Sequence, residues 1–272
     1  MCTNLGQDKN DYRSLTASET NEWEALKLKE KEGFDSATSF KRNLFHEYPK
    51  AVRHHIHLFP NHYLDIMELK DTNTLKNNIN EFKLLLDKSD LSEREILNFI
   101  NSNKHFFLIG AILKEHFSFG HHEAHVFREF PLGTSYKVDY LILGKNSDGW
   151  HFVFVELEAP IGNITIKDGD LGSTFRKGLD QVQDWDHWLE ENFQSLQEYF
   201  RKHKQPNIDL PKELYHLDTS RINYVVVAGR RKDFSDKTRR IKRTKKRNDQ
   251  IYLLHYDNII DASEELIESS TY

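Results

Sequence analysis

Tyr136–Glu158 reads YKVDYLILGKNSDGWHFVFVELE, and its alternation decides how the chain folds. Apolar residues recur with period two on either side of Asn146–Gly149, whose NSDG is turn chemistry. The stretch therefore predicts a hairpin of two strands, Tyr136–Leu143 and Phe152–Glu158. Val126–Phe130 before it has the same period and predicts a third strand, with Gly133 at the bend. With a four-residue turn, Lys145 pairs with Trp150, and counting back along an antiparallel ladder sets Asp139 opposite Glu156.

The acids of this hairpin are the informative residues. Side chains two apart in a strand share a face at roughly 6.5–7 Å. Glu156 and Glu158 thus share a face with Phe152 and Phe154. Acids on an aromatic face are costly unless something binds them. Carboxylates from two neighbouring strands repel, and a divalent cation with oxygen ligands, Mg²⁺ or Mn²⁺, relieves that repulsion. The Leu157 carbonyl, pointing sideways from the strand, is a further candidate ligand. This is the logic of metal-dependent phosphodiester cleavage, in which the metal polarises a phosphoryl oxygen and acidifies water. The plainer alternative is that the acids end strands at a solvated sheet edge.

Around the hairpin the period becomes helical. Leu75, Ile79, Phe82, Leu85 and Leu86 form one stripe; Ile96, Phe99 and Ile100 form a second, opened by the capping box Ser92-Glu93-Arg94-Glu95. Downstream, Phe175, Leu179, Val182, Trp185 and Leu189 mark a long helix over Ser173–Phe193, with Trp185 and Trp188 reading as core. Gly162, Gly169, Gly172 and Gly178 do not follow a phosphate-loop spacing and read as shaping the connection into it. Ile222–Ala228 (INYVVVA) is the pattern of a strand buried on both faces, and Gln250–His255 of a last strand before a short helix. The order helix, three antiparallel strands, helix, strand predicts an α/β fold, a mixed sheet flanked by helices. Residues 1–73 read as an N-terminal extension, helical at Glu22–Lys31, and residues 74–272 as the main domain.

Charge is unevenly spread. The chain of 272 residues has a net charge of −5, yet Arg230–Arg247 (RRKDFSDKTRRIKRTKKR) holds eleven Lys and Arg against two Asp, a local +9 over a remainder of −14. A globally basic nucleic-acid coat is excluded, but this block is a candidate phosphate-binding surface. Its candidate contacts are Arg230, Arg231, Arg239, Arg240, Lys242, Arg243, Lys245, Lys246 and Arg247. With Phe234 its only aromatic, duplex backbone contact suits it better than stacking on single strands. The alternative is a solvated loop or charged helix. One cysteine, Cys2, excludes an internal disulfide or a Cys-based zinc site. The longest apolar run, about Phe106–Leu113, is too short to span a bilayer, and the N-terminus has no signal core. These features predict a soluble, cytoplasmic protein with no membrane partner.

The arrangement resembles the PD-(D/E)XK nuclease superfamily, and residues about 74–262 are similar to the nuclease domain of Shedu antiphage defence proteins. The resemblance is carried by NEFKLLLD, SEREILNFINSN, VDYLIL, VFVELEAP, DQVQDWDHWL and IYLLHYDNII in that order. It implies a Mg²⁺-dependent DNA endonuclease or nickase acting on double-stranded DNA, and a homo-oligomer. It also implies Asp139 and Glu156 as metal ligands and a polar helix residue beside the metal, matching Gln181. The first helix of the superfamily often adds an acid, a place open to Glu95 or Glu93, although capping and solvation account for both. One departure matters: Glu158 stands where the motif has lysine. In an ExE site the second Glu serves as base or metal ligand. The alternative is a non-catalytic nucleic-acid-binding sensor on a nuclease scaffold. Lys177, one helical turn before Gln181, could supply a migrated lysine but reads more simply as a surface residue. His121, His122 and His125 do not make HExxH, and they read, like His54–His62, as surface clusters.

Overall fold

The computed structural model describes residues 11–32 and 49–272; Cys2 lies outside them. In chain order the helices and strands are α1 (Ala17–Glu32), α2 (Pro49–Ile56), α3 (Thr72–Leu86), α4 (Glu93–Asn103), α5 (Phe107–His116), β1 (Glu123–Leu132), β2 (Tyr136–Asn146), β3 (Gly149–Leu157), α6 (Ser173–Asn192), α7 (Leu196–His203), β4 (Ile222–Val227), α8 (Asp236–Asp249), β5 (Ile251–Leu254) and α9 (Tyr256–Glu265). They form two compact units. One comprises Met1–Tyr63 with Glu198–Leu210; the other comprises Leu64–Gln197 with Pro211–Tyr272. A short segment from the C-terminal half thus joins the first unit.

The larger unit is a mixed α/β structure. Its five strands lie in the order β1-β2-β3-β4-β5. β1, β2 and β3 are antiparallel neighbours, and β3–β4 and β4–β5 are parallel. The turn does what NSDG predicts, with Asn146 facing Gly149 and Lys145 facing Trp150. All six residues of β4 are buried, as its unbroken apolar run requires.

The strand period sorts side chains onto two faces. Tyr140, Ile142, Val153, Val155, Val225 and Val227 pack with Phe82, Ile96, Ile100 and Ile259 of α3, α4 and α9. On the other face Phe130, Phe152, Phe154 and Tyr224 make a chain of ring contacts beneath α6. Phe107–Leu113, noted in the sequence only as an apolar run, is α5, with all seven residues buried. A helix apolar all round has no stripe for periodicity to find.

Helix ends follow local chemistry. Ser92 and Glu95 close the predicted capping box of α4, and Lys104 ends it in the left-handed conformation at φ 58°. Ser235 caps α8 by accepting the Thr238 N–H, so the basic block is helical from Asp236 onward. In the smaller unit Trp23, Leu26 and Ala51 form a small core. The histidine clusters are on the surface only in part: His121 and His122 are exposed as expected, but other members are not. His54 and His57 are buried, His54 Nδ1 lies 2.8 Å from the Tyr12 carbonyl, and His57 stacks on Tyr63. His125 in β1 is also fully buried, bonded to Glu123 and stacked on Trp150.

Candidate active site and basic helix

The sequence-predicted acids come together at the end of β3, where the antiparallel and parallel halves of the sheet meet. Glu156 and Glu158 face α6 and are only 3% and 2% exposed. The β2–β3 ladder runs to Tyr140 opposite Val155. One step on in the same register, Asp139 comes opposite Glu156. There the pairing changes: Asp139 Oδ2 accepts the Leu157 backbone N–H at 2.9 Å. On the other side of Asp139 the β1–β2 ladder also skips a pair, between Arg128–Tyr140 and Phe130–Val138. The skipped residue of β1, Glu129, is left-handed at φ 47°.

The charge balance at the site is abnormal. Burial, then the nearby charges of Asp139 and Glu158, push the Glu156 carboxyl up to about 9. Burial raises Asp139 to about 7 against the backbone hydrogen bond from Leu157, and the charges of Glu93 and Glu158 add repulsion. Glu158 is raised as well, chiefly by burial. Three oxygens here are buried without a hydrogen-bond partner: Glu156 Oε2, Glu158 Oε1 and Gln181 Oε1. Buried acceptors without partners are uncommon in folded proteins, and water or an ion can satisfy them.

Two residues that sequence reasoning set aside belong to the site. Lys177 is exposed, as a surface lysine is expected to be, yet its Nζ lies 2.9 Å from Glu158 Oε2 and 3.4 Å from Glu93 Oε2. Burial works against its charge, but the bond to Glu158 and the charges of Glu158 and Glu93 raise its pKa. Glu93, the first residue of α4, is not merely a solvated end; Glu95 does the capping. A third residue carried no sequence signal. Tyr256, at the start of α9, is fully buried and donates to the Glu158 carbonyl at 2.7 Å. Only its place after β5, the strand next to β4, brings it under β3.

The donor set can be tested against a metal. Oxygens of carboxylates and an amide are the donors a hard divalent cation takes. Among the described residues no three His, Cys, Asp or Glu side chains converge as a finished cage. The Lys177 ammonium engages one oxygen of Glu158, and the Leu157 N–H engages one oxygen of Asp139. The residues fit a cation in their donor type and in their unpartnered oxygens.

The basic block divides by exposure. Arg239, Arg240, Arg243, Lys246 and Arg247 lie exposed at three- and four-residue spacing along α8. Lys242 is half-buried, and Lys245 is held by Asp249 at 2.8 Å. Arg230 is not part of the exposed face. Its guanidinium is tied to Asp257 at 2.8 Å and to the Leu86 carbonyl at 2.7 Å, joining α3 to α9. Arg231 is exposed but paired with Asp261.

A family model described as Shedu protein SduA, C-terminal, matches residues 90–260, more than half of the chain. The chain belongs to the Shedu family. No curated protein matches it. The Shedu span starts just before α4 and ends within α9. It therefore contains Glu93, Asp139, Glu156, Glu158, Lys177, Gln181, Tyr256 and all of α8. The stripe of α3 and the smaller unit's helices α1 and α2 precede it. No helix among the described residues is long and apolar enough to cross a membrane.

Proposed function

We propose that this Shedu protein is a metal-dependent DNA endonuclease or nickase of the PD-(D/E)XK type, hydrolysing phosphodiester bonds of double-stranded DNA in antiphage defence. The observation that carries the reading is the pair of unpartnered oxygens, Glu156 Oε2 and Glu158 Oε1, on buried carboxyls whose proton affinity is raised. Mg²⁺ or Mn²⁺ held by Asp139, Glu156, Glu158 and the Leu157 carbonyl supplies Lewis-acid polarisation of the phosphoryl oxygen and a more acidic water. The chain's own residues do the rest. Lys177 brings a positive charge to the acids from α6, where it can balance charge developing on the scissile phosphate. Gln181, one turn further along, offers an amide to orient water or a phosphate oxygen. Glu93 takes the place of the acid contributed by a first helix. The exposed face of α8 grips the duplex backbone, with Arg239, Arg240, Arg243, Lys246 and Arg247 as its contacts.

Glu158 in place of the motif lysine is the reason to consider a non-catalytic sensor instead. Lys177 Nζ lies 2.9 Å from that same glutamate. A cation is therefore available to the site from the neighbouring helix, which favours catalysis. Cytoplasmic location and homo-oligomerisation belong to the same proposal. The test is a supercoiled plasmid incubated with Mg²⁺, Mn²⁺ or EDTA. Nicking is expected with either metal and not with EDTA. Asp139→Ala and Glu156→Ala are expected to abolish it while gel-shift binding survives. Undiminished cutting by both variants would discard this site.

A further inference from the structure

The connection from the acid strand to the lysine helix is fastened to the basic helix, not to the sheet alone. Ala159–Gly172 links β3, which carries Glu156, to α6, which carries Lys177 and Gln181. Lys237 Nζ, in the first turn of α8, reaches Asp170 at 2.7 Å and Asp168 at 3.4 Å. Thr238, fully buried, donates from Oγ1 to the Gly169 carbonyl at 2.9 Å. Thr165 Oγ1 donates to the Asp233 carbonyl at 2.9 Å, just before α8. Gly169 has φ 82°, and a Cβ there would strike Ser235 Oγ, so the two segments are in direct contact. The loop also bonds to itself, from Ile166 N–H to the Asp170 carbonyl and from Gly172 N–H to the Ile164 carbonyl.

Lys237 therefore differs from Arg240 and Arg243 of its helix, and from Lys245, whose carboxylate partner lies on α8 itself. It is spent on two carboxylates of the loop, whereas Arg240 and Arg243 face solvent. We propose that Lys237 and Thr238 are positioning residues that clamp the Ala159–Gly172 loop to α8, so that the helix gripping DNA and the helix presenting Lys177 and Gln181 move as one body. The proposal rests on the nuclease reading for its functional consequence, but the clamp itself can be measured without DNA or metal.

Two variants separate a clamp from a phosphate contact. Lys237→Met removes a positive charge and Asp170→Asn removes a negative one. If Lys237 acted only through charge on DNA, the two would shift duplex affinity in opposite directions. A clamp predicts the same result from both: faster amide hydrogen exchange at Ile166, Gly169 and Gly172 in the metal-free, DNA-free protein, by about tenfold or more. Lys237→Arg should restore protection. The slope of log affinity against log salt should stay unchanged in Lys237→Met, whereas loss of a phosphate contact lowers it by about one. Turnover at saturating duplex should fall by up to about 100-fold, because misplacing α6 misplaces Lys177. Unchanged exchange in both variants, or a reduced salt slope for Lys237→Met, would overturn the clamp. If the wild type proves unable to cut DNA, only the turnover arm is lost, and the exchange and salt arms still decide.

Discussion

Glu156 is 3% exposed, one of its oxygens has no partner, and its proton affinity lies far above that of a free glutamate. Folding therefore favours its protonated form. Its folded pKa of about 9 exceeds the ordinary 4.5, and that of Asp139, about 7, exceeds 3.8. Between those limits the native state holds more protons than the unfolded chain, so stability falls as pH rises. In EDTA, Tm should drop between about pH 6 and about pH 8.5, and Glu156→Gln should flatten the drop. A Tm that climbs through that window would contradict the burial of an ionising acid. Lys177 gives a second prediction at this scale. Lys177→Met should lower kcat for nicking by about 10²–10³-fold with duplex affinity nearly unchanged, as expected for a charge acting on the reacting phosphate. Unaltered kcat would return it to the role of a surface lysine. Asp139, Glu156 and Glu158 were legible because a strand fixes which side chains share a face. Lys177 was legible only as an alternative, one helical turn before Gln181, because its role depends on how α6 is rotated against the sheet.

That rotation belongs to α6 as an element, and Gly178 sets it. A Cβ at Gly178 would sit 2.6 Å from Val226 Cγ1 and 3.2 Å from Glu158 Cγ. The helix thus approaches β4 and the acid strand as closely as a backbone can. Gly178→Ala should push α6 outward at a cost of about 1–3 kcal/mol, read from the denaturation midpoint, and should lower nicking more than duplex binding. An unchanged midpoint with full activity would show that the contact relaxes freely. The elements themselves were mostly readable. The NSDG turn fixed the β2–β3 register, and the apolar run of β4 announced a strand buried on both faces. Two features escaped. The sequence left open whether the basic block was loop or helix, since eleven cations obscure any apolar stripe; the Ser235 cap settles it. The local break at Asp139 also escaped, because a side chain taking a backbone N–H has no period.

Over the whole molecule, charge is segregated. A segment of +9 stands against a remainder of −14, so a net charge of −5 conceals a face able to steer a polyanion. Composition exposed that asymmetry but not which cations are free: Arg230 is consumed in joining α3 to α9, and Lys237 in holding the loop. The larger unit brings together three structural contributions: acids from the sheet, a cation from α6 and a basic surface on α8. The account depends on those acids receiving a divalent ion. The most direct measurement is calorimetric titration of Mg²⁺ and Mn²⁺ into the full chain, with and without a short duplex, beside Glu156→Ala. Saturable binding near neutral pH, with release of protons and loss of the signal in the variant, is the predicted result. No heat from either ion, even with duplex present, would contradict the metal site and the chemistry built on it.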